Sequence, residues 1–316
     1  MMANLFFKAT SFTDRAEIET SADTFLSVAI SHIVYRVKVE ETPIHAYTEP
    51  QKAKLFNMFY KTDLKKNPDA IKPILNMLAL EKGINKPKFT TVNTNMFDIR
   101  KAAAAPNNEI KFLRKTFLGE YDFVEDIKSA IHESQHLYQY FNTKKFLMGE
   151  EVDIKYQIMA FQQIFNYCGI RAPKIDIITQ AEYYFNAQEI DARIASVAYL
   201  FELAKNKNLI PEAREDILNY IYYNLEHDAS LFDSGKKLLK QLDYQTKKFQ
   251  KIFKDCPLAQ DIMQEYNKSR PYMEFYAKNL DCTACSLGIK ISKLKKEEKQ
   301  EMQLAKKQLN LSNSTK

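Results

Sequence analysis

Six glycines in 316 residues leave this chain few positions where the backbone can turn with positive φ. Folds dominated by β-structure need many such positions in their tight turns, so the scarcity argues against a sandwich or a barrel. Long stretches rich in Lys, Glu, Leu, Ala and Gln, all strong helix formers, argue in the same direction. The fold class to expect is mainly α with a small sheet, an α+β arrangement.

Helical periodicity runs over 122–142, 150–168, 179–205, 211–231, 235–254 and 258–279. Gly149, Gly169, Pro173, Pro211, Gly235 and Pro257 fall in or beside the gaps, where helix breakers belong. Residues 49–82 also read as helix, with breaks at Pro68 and Pro73. Strand composition is confined to KPKFTTVNT (86–94) and EIKFLRKTF (109–117), with AAAAPNNE read as the connection between them. The first 48 residues resist assignment, because SVAISHIVYRVKVE fits both an alternating strand and a buried helix.

The formal net charge is +6, but residues 290–316 hold eight lysines and three glutamates, a net of +5. The remaining chain therefore carries +6 − 5 = +1, and no nucleic-acid partner is expected from so even a body. The tail reads as a solvated, mixed-charge helix. Four cysteines do not make a disulfide framework, and Cys282-Thr-Ala-Cys285 is a lone CxxC without a second pair, read as structural thiols. The start MMANLFFKATSF lacks the features of a signal peptide, and no run of 18 apolar residues predicts a membrane span. A cytoplasmic protein, or one exported without a leader, is expected.

Two of the five histidines lie in IHESQHLYQYF, residues 131–141, with Glu133 between them. On a helix, Val124, Ile127, Ile131, Leu137, Tyr138 and Phe141 share one arc of about 140°, and His132, His136, Glu133, Ser129 and Tyr140 lie opposite. Histidines four apart can reach one ion, supplying two corners of a tetrahedral zinc site from a rigid element. Glu133 is offset from that ion and can reach a water on it, as a general base. With five histidines and 23 glutamates, the pattern arises by accident in roughly half a percent of shuffled chains. A catalytic site needs a third ligand.

His32, His45 and His227 are isolated in sequence, so a carboxylate on a later helix is the natural alternative. Thr179-Gln-Ala-Glu182 reads as a capping box, which gives Glu182 a structural use. Glu189 has none. Its neighbours Ala187, Ile190, Ile194, Val197, Ala198 and Phe201 predict a buried helix, where a carboxylate must be paired or bind metal. Glu189 is thus either a third ligand or the partner of Arg193.

HESQH followed, 53 residues after His136, by Glu189-Ile-Asp-Ala-Arg resembles the zincin metallopeptidases, and within them the gluzincin group. The resemblance covers roughly 86–205 and rests on about six positions. It implies Zn2+ held by His132, His136 and Glu189, Glu133 as general base, and Asp191 orienting a histidine. It also implies an oxyanion-stabilising residue, for which Tyr183, Tyr184 and His227 are the candidates. Gln188 departs from the Asn that thermolysin-like members carry before the ligand glutamate, so no particular member is matched. The division that follows is an N-terminal extension (1–85), a zincin-like catalytic domain (86–232) and a C-terminal helical region with a basic tail (233–316). The expected function is zinc-dependent hydrolysis of peptide bonds in a protein or peptide substrate. A catalytically silent zincin-shaped protein, or a helical interaction protein with a coincidental motif, would carry the same residues.

Overall fold

The computed structural model describes residues 22–62, 67–93, 102–114, 122–170, 186–227 and 234–280, together with 286, 292, 293 and 296. The ambiguous N-terminal stretch forms a helix, α1 (Ala22–Arg36), which buries Leu26, Ala29, Ile30, Ile33 and Val34 at helical spacing. Val37 and Val39, just past its end, enter the core. α2 (Glu49–Tyr60) and α3 (Lys72–Glu81) follow, with a 3-10 turn (Pro68–Ile71) leading into α3. Pro68 and Pro73 each lie in a first turn, where a missing N–H is harmless.

Among the described residues the sheet has three strands, β1 (Lys88–Asn93), β2 (Ala102–Ala105) and β3 (Glu109–Arg114), in the order β1-β3-β2. β1 pairs with β3 in parallel, from Lys88↔Glu109 to Asn93↔Arg114. β2 pairs antiparallel with β3, from Ala102↔Phe112 to Ala105↔Glu109. The alanine run read as a connection is therefore a strand, at the edge of the sheet. The β2–β3 turn closes at Asn108, whose φ of 59° lies in the left-handed region that Asn tolerates.

α4 (Phe123–Leu147) starts at Asp122, whose side chain accepts from the Val124 and Glu125 N–H groups. It runs five residues past the predicted end and stops at Gly149, with φ 95°. Then come α5 (Ile154–Tyr167), α6 (Ala187–Ala204), α7 (Pro211–His227), α8 (Ser234–Ile252) and a helix over 257–280, α9. Among the described residues no helix is long and apolar enough to cross a membrane.

Two apolar clusters meet along α4. One gathers α1, α5, α8 and α9 around Leu26, Ile30, Phe161, Phe165, Phe249 and Tyr266. The other gathers α2, α3, the sheet and α7 around Phe56, Ile74, Ile110, Ile127, Leu137 and Ile217. α6 divides itself between them, with Ile190 in the first and Leu200 in the second; Tyr138 packs against both. Each large aliphatic or aromatic side chain so enclosed contributes about 1.5–3 kcal/mol relative to exposure. α4 is therefore the spine of the molecule, and its polar face is covered rather than wet.

Candidate metal centre

The face of α4 opposite the apolar arc lies under α6 and beside β2. Glu133 and His136 are each 8% exposed, and Gln135 and Gln139 are less exposed still. This excludes a solvated surface stripe. Polar groups in such a place need partners, and each of these four has one.

α6 supplies part of them. Its N-cap is Asn186, whose side chain accepts from the Gln188 N–H, while the Ala187 N–H donates to Gln162 Oε1 on α5. The described helix thus starts at Ala187, not at 179, and Glu189 is its third residue rather than two turns inside. That position is where a capping-box glutamate would turn back to the cap. Here the carboxylate faces α4 instead, with Oε2 3.3 Å from His132 Nε2 and Oε1 3.3 Å from His136 Nε2. The two Nε2 atoms are 3.0 Å apart. Thr179 and Glu182, read as a capping box, lie outside the described residues.

His132, His136 and Glu189 are a group that could hold a metal ion, with ligand atoms within 4.8 Å of one another. The donor set, two imidazoles and a carboxylate, could hold a divalent cation. Donors about 2.0–2.1 Å from a tetrahedral centre stand roughly 3.3–3.4 Å apart, and the three separations here are 3.0, 3.3 and 3.3 Å. Electrostatics agree with an electron-rich pocket. Burial alone would push the His136 imidazolium down, but hydrogen bonding to Glu189 and the charges of Glu189 and Glu133 raise it to about 9. Burial likewise pushes Glu189 up, and the two histidines outweigh it, holding the carboxyl well below the usual carboxylate range.

Glu133 stands apart from the three. Its Oε2 accepts from the Ala104 backbone N–H of β2 at 2.6 Å. Because β2 is an edge strand, that N–H points away from β3 and toward α4. Tyr140, one turn beyond His136, lies within the field of the same carboxylates. Burial first, then Glu133 and Glu189, push its phenol up to about 12, so it remains protonated.

Behind the three residues is a layer of which the sequence pointed only to Asp191. Asp191 does not touch a histidine directly. Gln139 Nε2 donates to Asp191 Oδ2 at 2.8 Å, and Gln139 Oε1 lies 2.8 Å from His136 Nδ1. Gln135 Nε2 donates to the same Asp191 oxygen at 2.7 Å, and Lys155 Nζ on α5 sits 3.1 Å from Asp191 Oδ1. Lys82, at the end of α3, donates to Gln135 Oε1 at 2.6 Å and lies 5.5 Å from the Tyr138 ring centroid. Burial pushes its ammonium down to about 8, against the pull of Asp191. One signal could have found the glutamines: they stand four apart, as the histidines do, on a face the chain had reason to bury.

Tyr183, Tyr184, Cys282 and Cys285 lie outside the described residues. His227 ends α7, and its side chain is likewise outside them. Cys168 and Cys256 are free thiols, pushed up by burial to about 12 and about 11. Comparison with known protein families, with curated protein sequences and with solved structures finds no match to this chain.

Proposed function

We propose that this chain is a zinc-dependent peptidase, with His132, His136 and Glu189 as ligands and Glu133 as general base. The observation that carries the reading is the meeting of two imidazole nitrogens and one carboxylate at zinc-like separations, beside a second carboxylate that is not among them. Bound zinc would supply a Lewis acid that acidifies water and polarises a carbonyl.

The chain's own residues have separate tasks in this scheme. His132 and His136 come from one rigid helix and Glu189 from a second, so the ligand geometry depends on how α6 docks on α4. Glu133, one oxygen tied to β2, keeps Oε1 to take a proton from water and return it to the departing amine. The outer edge of β2, apart from the Ala104 N–H that Glu133 holds, would offer backbone groups to an extended peptide, in the manner of an added strand.

The test is metal content on the purified chain, with His136→Ala and Glu133→Gln beside it, and cleavage of a mixed peptide library. About one zinc per chain, lost in His136→Ala and kept in Glu133→Gln, with cleavage only by the parent, is the expected result. Zinc without any cleavage would leave a metal-stabilised binding protein. Absence of zinc, with both variants folded as the parent is, would sink the reading.

A further inference from the structure

Gln139 is not itself a proposed ligand or base, and its side-chain amide is fixed from three directions. Nε2 has two protons, and two acceptors face it: Asp191 Oδ2 at 2.8 Å and the Gln188 carbonyl at 3.0 Å. Turning the amide over would set Oε1 against both of those acceptors, so Oε1 has to face His136. At 2.8 Å from His136 Nδ1, an oxygen can only accept. The ring must therefore carry hydrogen on Nδ1 and turn Nε2 toward Glu189 and His132.

The same logic runs outward. Lys82 is donor-only, so Gln135 must present Oε1 to it and Nε2 to Asp191. Asp191 thus receives two amides of α4 on one oxygen and Lys155 of α5 on the other. It is the common acceptor that ties the start of α6, which carries Glu189, to the helix carrying the histidines.

Resting on the metal-site reading, we propose that Gln139 is the positioning residue of the centre. Anchored by Asp191, it fixes the ring orientation and tautomer of His136 so that Nε2 is the nitrogen offered to the metal. The role usually given to a carboxylate or a backbone carbonyl behind a histidine ligand falls here to an amide, with the carboxylate one step further back.

The experiment uses the full chain labelled with 15N-histidine, Zn2+ as the probe, and competition with a chromophoric chelator for affinity. In the zinc-loaded parent, His136 should show hydrogen on Nδ1. Gln139→Met keeps length and apolar packing but removes the acceptor, and zinc affinity should fall roughly 10- to 100-fold. Its thermal unfolding should remain cooperative. Unchanged affinity in Gln139→Met, in a parent whose zinc depends on His136, overturns the role of Gln139 and leaves the metal site standing. Hydrogen on Nε2 of His136 in the loaded parent overturns it too, even if the variant does not fold. A parent that binds no zinc overturns both readings together.

Discussion

The backbone N–H of Ala104 donates to Glu133 Oε2 at 2.6 Å, which ties the edge of the sheet to the one acidic residue between the paired histidines. A carboxylate on a long side chain has several rotamers, and this bond selects one. It also engages one oxygen and leaves the other for chemistry.

Ala104→Pro should test that tie directly. Proline removes the donor, and it is tolerated on an edge strand where the N–H does not enter the ladder. Fold and zinc content should persist, while kcat/KM on a cleaved peptide falls roughly 10- to 100-fold, about 1.5–3 kcal/mol for a hydrogen bond to a charged group. Steady-state kinetics of the zinc-loaded variant measures this. Unchanged kcat/KM would mean that Glu133 needs no help from β2.

The metal-free chain should lose stability as pH rises from about 6.5 to 8. His136 binds its proton more tightly folded than unfolded, with a folded value near 9 against 6.5, so its contribution is complete below 6.5 and lost as pH climbs toward 9. Lys82 acts in the opposite sense: its folded value, about 8, lies below 10.5, so stability is regained with pH only above 8. Between the two, the histidine governs. Urea melts of chelator-treated protein at pH 6, 7 and 8 should show a falling midpoint, and the fall should flatten in His136→Gln. A midpoint that rises over this range contradicts the assignment. With zinc present the trend should reverse, because metal binding needs the imidazole deprotonated.

The grouping of His132, His136 and Glu189 was legible because it obeys local geometry. His132 and His136 share a helix face by spacing alone, and Glu189 stood out as an acid in an apolar helix. Three things were not legible. β2 is four alanines, which carry no strand preference, and its pairing with β3 is a tertiary fact. The start of α6 was misplaced because Thr179-x-x-Glu182 and Asn186-x-x-Glu189 are equally good caps in sequence. The supporting layer was reduced to Asp191, because the meeting of Lys82, Gln135 and Gln139 depends on α3, α4 and α6 packing together. Gln139 itself looked like any polar residue on a helix.

Lys82 and Gln135 should be coupled. Replacing Lys82 by Met strands the Gln135 acceptor, and leaving a buried acceptor unmade costs about 1–3 kcal/mol. Gln135→Leu, conversely, leaves Lys82 without that acceptor and takes one donor from Asp191. In the double variant neither group is stranded, so the loss should be smaller than the sum by about 0.5–3 kcal/mol in a denaturation cycle. Simple additivity would show that the 2.6 Å contact contributes nothing.

Asn186→Ala should weaken metal binding more than it weakens the fold. Asn186 caps α6, and its loss costs about 0.5–2 kcal/mol, but the Ala187 N–H is still held by Gln162 and Asp191 still docks on α4. Glu189 is only three residues from the cap, in the turn that frays first. Zinc affinity should therefore fall several-fold more than the stability change alone requires, and Asn186→Ser, which can also cap, should restore most of it. Equal zinc affinity in the Ala and Ser variants would show that the cap does not position Glu189, and that the Asp191 contacts to Gln135 and Gln139 hold the ligand in place without it.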